Sequence, residues 1–247
     1  MKLFSSIILS AISISPSGAA TYYWTSGGDG ASVYQEANWT ENLDGSGGTI
    51  PVINGNTAVN HDLIVSAGNP GGGGGAGSTL DLGSGSLTIN TGTFKMNVGN
   101  GAGINNADIF LNVGTVITEF VSGGSVTLAG GTLDLYEGDN PIDSATVNFT
   151  SGSTAVMIFR DETVLEVNSE HLAKIFVNGA AAVSSGAGQN VVVTANASGT
   201  VVMLGTTSPT TNDDDLDGLS NGAEAALNTN PNVRDSDGDG TPDGLEV

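Results

Sequence analysis

The sequence predicts an all-β fold, and within that class a right-handed parallel β-helix, a solenoid of short strands. Three observations predict it. Between about Tyr22 and Leu204, apolar and polar residues alternate in short runs, which places the apolar side chains on one strand face. Glycine supplies 38 of 247 residues, roughly twice ordinary usage, and with Ser, Asn and Thr it fills the gaps between runs, as turns require. The runs also repeat. Gly85-Ser86-Leu87-Thr88-Ile89-Asn90-Thr91-Gly92-Thr93-Phe94-Lys95-Met96 matches Gly124-Ser125-Val126-Thr127-Leu128-Ala129-Gly130-Gly131-Thr132-Leu133-Asp134-Leu135 at every apolar position, 124 − 85 = 39 residues on. Thirty-nine residues make two solenoid turns of about 20 each. A β-sandwich is the alternative, since short strands at regular spacing predict that fold as well.

The elements follow in order. Lys2, the apolar run Leu3 to Ile14 and the small residues Pro16-Ser17-Gly18-Ala19-Ala20 describe a secretory signal over residues 1–20. About 12 apolar-rich residues are too few to cross a bilayer core, which needs about 20. A solenoid domain is expected over 21–204. Five of the thirteen aromatic residues, Tyr22, Tyr23, Trp24, Tyr34 and Trp39, fall in its first stretch, 21–57. There they serve as an N-terminal cap for the open end of the array, or else as a platform for sugar rings. Leu80, Leu87 and Phe94 are spaced by seven, as are Val126 and Leu133; a strand of about four residues and a turn of about three give that spacing. The same pattern predicts strands at Thr79-Leu80-Asp81-Leu82, Thr146-Val147-Asn148-Phe149, Thr163-Val164-Leu165-Glu166-Val167 and Thr200-Val201-Val202-Met203. Helical periodicity is nearly absent, with one turn expected in Ser169 to Lys174. The glycine run 71–77 formally contains G-x-G-x-x-G, but no strand-turn-helix surrounds it, so it reads as a protruding loop rather than a nucleotide site. Residues 205–211 read as a linker.

Charge narrows the function classes. There are 26 acids against 5 bases, a net charge of −21. Such a surface repels phosphate backbones and anionic lipid and attracts divalent cations. The absence of cysteine removes disulfides, thiolate chemistry and cysteine-ligated zinc.

The most specific chemistry lies in 212–247, which holds ten acids and one base, Arg234. A twelve-residue pattern occurs twice, from Asp213 and from Asp235. Both copies satisfy D-x-[DN]-x-[DN]-G-x₅-E. Ca²⁺ takes six to eight oxygens. Asp213, Asp215 and Asp217, and in the second copy Asp235, Asp237 and Asp239, supply positions 1, 3 and 5. Gly218 and Gly240 permit the sharp turn. The backbone carbonyls of Leu219 and Thr241 fall at position 7, Asn221 and Asp243 at position 9, and Glu224 and Glu246 close the cage at position 12. Mg²⁺ suits such a loop less well, because it resists dehydration and wants a rigid octahedron. No helical pattern precedes Asp213, and Pro242 sits where paired EF-hands would bridge by backbone bonds, so EF-hands are not expected.

Two such units joined by Ala225-Ala226-Leu227-Asn228-Thr229-Asn230-Pro231 resemble the thrombospondin type 3 repeats of secreted bacterial proteins. The resemblance covers about 36 residues. It implies a calcium-ordered tail with little regular secondary structure, held by Asp213, Asp215, Asp217, Asn221, Glu224, Asp235, Asp237, Asp239, Asp243 and Glu246. The chain departs from the animal form in lacking cysteines and in using Asn221 at one position 9. Dockerins are similar in repeat spacing but lead into longer helices. The middle region more loosely resembles the β-helical passenger regions of autotransporter-like surface proteins.

Catalysis has little to stand on. Asp161, Glu162 and Glu166 cluster near Arg160, and paired carboxylates can serve glycoside hydrolysis; acids facing water from a strand give the same pattern. His61 and His171 lie far apart with no motif around either. The leading reading is a secreted or cell-surface, non-enzymatic calcium-binding protein of structural or adhesion type. The second is an extracellular carbohydrate-active or carbohydrate-binding β-helix, whose partner is a polysaccharide. The third makes the tail a docking module for another surface protein. Neither a nucleic-acid partner nor a membrane span in the mature chain is expected.

Overall fold

Short alternating runs become short strands. The computed structural model describes residues 19–55, 57–72, 79–99, 101–136, 140–186 and 188–205, and in the tail 229–230, 233, 235–236 and 243. The expected signal segment therefore lies outside the described residues up to position 18, as does the linker beyond Gly205 and the glycine run from 73.

The protein is all-β. β1 (Thr21–Trp24) and β2 (Trp39–Thr40) open the chain, and β3 (Asp62–Val65) follows. Four repeats of three strands come next. The first is β4 (Leu80–Asp81), β5 (Leu87–Ile89) and β6 (Thr93–Lys95). The second is β7 (Ile104–Asn105), β8 (Ile109–Leu111) and β9 (Thr115–Thr118). The third is β10 (Val121–Ser122), β11 (Ser125–Leu128) and β12 (Thr132–Leu135). The fourth is β13 (Ile142–Asp143), β14 (Thr146–Phe149) and β15 (Val156–Phe159). The last strands are β16 (Ile175–Val177), β17 (Ala180–Ala181), β18 (Val191–Asn196) and β19 (Gly199–Leu204).

Each repeat sends its three strands to three different sheets. A nine-stranded sheet runs β17-β16-β14-β11-β8-β5-β3-β1-β2, a four-stranded sheet β13-β10-β7-β4, and a six-stranded sheet β18-β19-β15-β12-β9-β6. Within the repeats every strand-to-strand pairing is parallel, beside one isolated antiparallel bridge, Ser122 to Ser144. The seven-residue spacing therefore marks successive strands of one repeat: Leu80, Leu87 and Phe94 sit in β4, β5 and β6, one to each sheet. Leu87 pairs with Ile109 and Ile109 with Val126, so the expected equivalence of Leu87 and Val126 holds in the register. The steps are 22 and 17 residues, and their sum is the 39 read from the sequence.

Like side chains stack inward along this register. Leu63, Leu87, Ile109, Val126, Val147 and Ile175 form one buried column. Phe94, Val116, Leu133, Met157 and Val202 form another, and Leu80, Ile104, Val121 and Ile142 a third. Each burial stabilises the fold by about 1.5–3 kcal/mol. Outside, polar side chains bridge the same steps. Ser86 Oγ donates to Asp62 at 2.7 Å, Asn112 Nδ2 to Asn90 at 2.8 Å and Asn106 Nδ2 to Asp81 at 2.6 Å.

Antiparallel pairs bound the parallel run. β1 pairs with β2 at one end. At the other, β16 turns into β17 through Asn178 (φ 51°) and Gly179 (φ 77°), the left-handed pair that a two-residue hairpin needs. β19 lies antiparallel on β15, and β18 on β19. The strand expected at Thr200–Met203 is thus present, running against its neighbour.

One expectation is overturned. Thr163–Val167 is not a strand: a helical stretch runs from Val164 through Lys174, longer than the single turn expected at Ser169–Lys174. Thr163 caps it, its Oγ1 accepting from Glu166 N at 3.3 Å while Thr163 N donates to Glu166 Oε2 at 2.7 Å. That reciprocal pair satisfies two donors a helix start leaves open.

Candidate functional site

Most of the calcium-ligand set lies outside the described residues: Asp213, Asp215, Asp217, Leu219, Asn221, Glu224, Asp237, Asp239, Thr241 and Glu246. Asp235 and Asp243 are described. Asp243 is 2% exposed. Its carboxylate accepts from Ser236 N at 2.9 Å and from Ser236 Oγ at 2.6 Å, and Ser236 Oγ in turn accepts from Asn230 N at 2.7 Å. Position 9 of the second copy of the pattern is therefore hydrogen-bonded to its position 2. The donor set is all oxygen, the chemistry Ca²⁺ takes. Among the described residues, no group of three or more His, Asp or Glu side chains is gathered closely enough to hold a metal ion.

The acids around Arg160 do not converge. Arg160 grips Asp134 with two parallel bonds, Nε to Oδ1 and Nη2 to Oδ2, both 2.7 Å. Its Nη1 donates to Ser198 O at 3.1 Å, and its guanidinium lies 5.1 Å from the Tyr136 ring centroid. The hydrogen bond to Asp134 holds the Arg160 pKa above its ordinary value. Glu162 is buried against His171, with Oε1 3.1 Å from Nε2, and His171 stacks on Phe159 at 5.4 Å. Glu166 belongs to the helix cap. Arg160, Glu162 and Glu166 each have a structural partner, Asp161 is exposed, and the fork–carboxylate geometry of Arg160 explains its place better than catalysis does. Asp134 is the member of this network that pattern reading missed; it occupies an outward strand position yet is 4% exposed, and only the register with β15 brings Arg160 to it.

Three of the N-terminal aromatics, Tyr22, Trp24 and Trp39, are buried. Trp24 and Trp39 are buried and meet edge to face at 5.2 Å; Trp39 Nε1 donates to Val33 O at 2.9 Å. Tyr22 is buried beside His61, ring to ring at 5.2 Å. Burial pushes the Tyr34 phenol up to about 12. Neither indole offers a face to a sugar. Tyr23 does lie on the outward side of β1, in a lane that continues through Ile64, Thr88, Phe110, Thr127, Asn148 and Phe176.

No helix among the described residues is long and apolar enough to cross a membrane. No known protein family, curated protein or solved structure matches the chain.

Proposed function

We propose that the protein is a secreted or cell-surface structural protein, of adhesion type, in which a right-handed parallel β-helix carries a calcium-ordered tail. The observation that carries the calcium reading is the twice-repeated D-x-D-x-D-G-x₅-E loop, supported by the buried Asp243 carboxylate folded onto Ser236. The solenoid reading rests on the parallel stacking of four three-strand repeats in three sheets; parallel crossovers are right-handed in nearly all proteins, and an antiparallel Greek key has no such register. Residues 21–57 act as its cap, with Trp24 and Trp39 closing the first open end. The rod spaces the tail from whatever holds the other end, and calcium makes the tail a defined surface for a neighbouring surface protein.

The test is limited proteolysis of the exported full chain with and without calcium. Calcium should protect the segment after residue 205 and leave the 21–204 core pattern unchanged. Equal cleavage in calcium and in chelator sinks the reading.

The outward lane of Tyr23, Phe110 and Phe176 favours a second reading, polysaccharide binding along the nine-stranded sheet. Co-sedimentation with insoluble glycans, lost in Phe110→Ala, tests it independently of calcium.

A further inference from the structure

Lys174 closes the helical stretch, and its side chain reaches back to the fourth repeat. Its Nζ lies 3.2 Å from Asn140 Oδ1 and also donates to Ile142 O. Both partners are neutral oxygens, and among the described residues no carboxylate lies within ion-pair distance of Lys174. The other end of the same carboxamide is held by an acid: Asn140 Nδ2 donates to Asp143 Oδ1 at 3.1 Å. Ser122 Oγ fixes the second oxygen of Asp143 at 3.0 Å. One amide thus has an amine against its oxygen edge and a carboxylate on its nitrogen.

We propose that Lys174 and Asn140 form an intramolecular amide cross-link, with Asp143 carrying the proton. The Lys174 ammonium gives one proton to solvent, and its nitrogen attacks Asn140 Cγ. The Nζ–Cγ bond forms and the Cγ–Nδ2 bond breaks. In the adduct both nitrogens sit on Cγ, and Asp143, already bonded to Nδ2, carries the proton from the attacking nitrogen to Nδ2, which leaves as ammonia. Overall a lysine ammonium and a primary amide become a secondary amide and a free ammonium ion. No oxidant, reductant or co-reactant is needed, and the chain loses one positive charge. Holding amine and amide in contact replaces a bimolecular encounter, the effect that gives intramolecular reactions their high effective molarity. The bond joins positions 34 residues apart and ties the fourth repeat to the start of β16. In a chain without cysteine it does the work a disulfide does in other extracellular proteins.

The test is a tryptic map of the purified full chain. Cleavage sites at Lys95, Arg160, Lys174 and Arg234 separate Asn140 from Lys174. The cross-link leaves peptide 96–160 joined to 161–234, uncut after Lys174, with a mass lower than the sum of the two by one ammonia. Lys174→Arg and Asn140→Ala should each give separate peptides, and Asp143→Ala should leave the bond unformed. Free 96–160 and 161–174 peptides at full mass from the unmodified sequence overturn the proposal, as does simple hydrolysis of Asn140 to aspartate. A cross-link that forms equally well in Asp143→Ala overturns the role given to Asp143.

Discussion

At one corner of the repeats, Gly68, Gly92, Gly114 and Gly131 all hold left-handed backbone, with φ of 76°, 77°, 93° and 76°. They also stack. A Cβ on Gly114 would lie 2.4 Å from Gly92 O, and one on Gly131 2.2 Å from Gly114 O. Those carbonyls cannot withdraw, because Thr115 N and Thr132 N donate to them at 2.8 Å. Gly152 has the same left-handed φ, 69°, with nothing within 4 Å of a new Cβ. Alanine there should cost only backbone strain, about 1–3 kcal/mol. Gly114→Ala adds a backbone clash to the same strain, so its loss should reach or pass the top of that range, about 3 kcal/mol. Denaturant unfolding of the two variants compares them; equal losses would show that the corner can open. The sequence displayed Gly92 and Gly131 as matched members of its repeat. That both pack against Gly114, which lies between them, is a consequence of register, which composition does not carry.

At the scale of elements, the helical stretch and the closing hairpin each hang on a charged contact. The Glu166 carboxyl is held below the ordinary glutamate value, first by the Thr163 backbone N–H, then by the Thr163 side chain. A depressed folded value means that the ionised form favours the folded cap. Its contribution is complete above the ordinary glutamate value and fades as pH falls below that value toward the lower folded one. Amide-exchange protection at residues 166 and 167 should drop across that window while protection in β11 stays flat. Glu166→Gln keeps an acceptor for Thr163 N and should remove the pH dependence; a slope that survives in Glu166→Gln refutes the assignment. Arg160 does comparable work for the hairpin, joining β12, β15 and Ser198. Arg160→Ala leaves the buried Asp134 carboxylate without its fork, and because the guanidinium is partly exposed the expected loss is about 2 kcal/mol. Adding Asp134→Ala to that variant should recover part of it, measurable as a coupling in a double-mutant cycle. The helix illustrates why a pattern can mislead. Thr163 to Val167 alternates like the neighbouring strands, yet Thr163-x-x-Glu166 is also a capping pattern, and the capping pattern decides the structure. Leu165, 76% exposed, is the residue whose strand-like spacing carries no burial.

Across the whole molecule, the spacing of Leu80, Leu87 and Phe94 was legible as one strand and one short connection per seven residues because the chain visits three sheets in order. The single-repeat length was legible only as about 20 residues, half of the 39-residue match, since successive steps of 24, 22, 17 and 21 residues, from Leu63 through Leu87, Ile109 and Val126 to Val147, blur any fixed offset. Turn lengths vary freely while inward columns cannot, so apolar matches survive where periods do not. The antiparallel ends escaped reading because alternation has no direction. The candidate site divides the same way. The proposed loop chemistry is written in local spacing alone, whereas Arg160 with Asp134 and Lys174 with Asn140 are contacts between distant stretches of chain. The tail's last test follows from that local code. Ten acids in the 36 residues of 212–247 repel one another, so the calcium binding proposed above predicts that binding and folding of the segment are coupled. Loop two offers five acids at ligand positions (Asp235, Asp237, Asp239, Asp243 and Glu246) and loop one offers four (Asp213, Asp215, Asp217 and Glu224), so charge makes loop two the tighter site. Extracellular calcium modules bind at about 10⁻⁴–10⁻³ M, and titration calorimetry of the exported chain should place at least one event in or below that range. Asp237→Ala removes a position-3 ligand and should weaken the tighter event about tenfold or more, one lost ligand of about 1.4 kcal/mol or more. Asp214→Ala removes the same formal charge from position 2 of loop one, which is not a ligand position of the pattern, and should change binding only through screening. If the two variants weaken calcium equally, the tail holds the ion as a diffuse acidic cloud rather than in two loops.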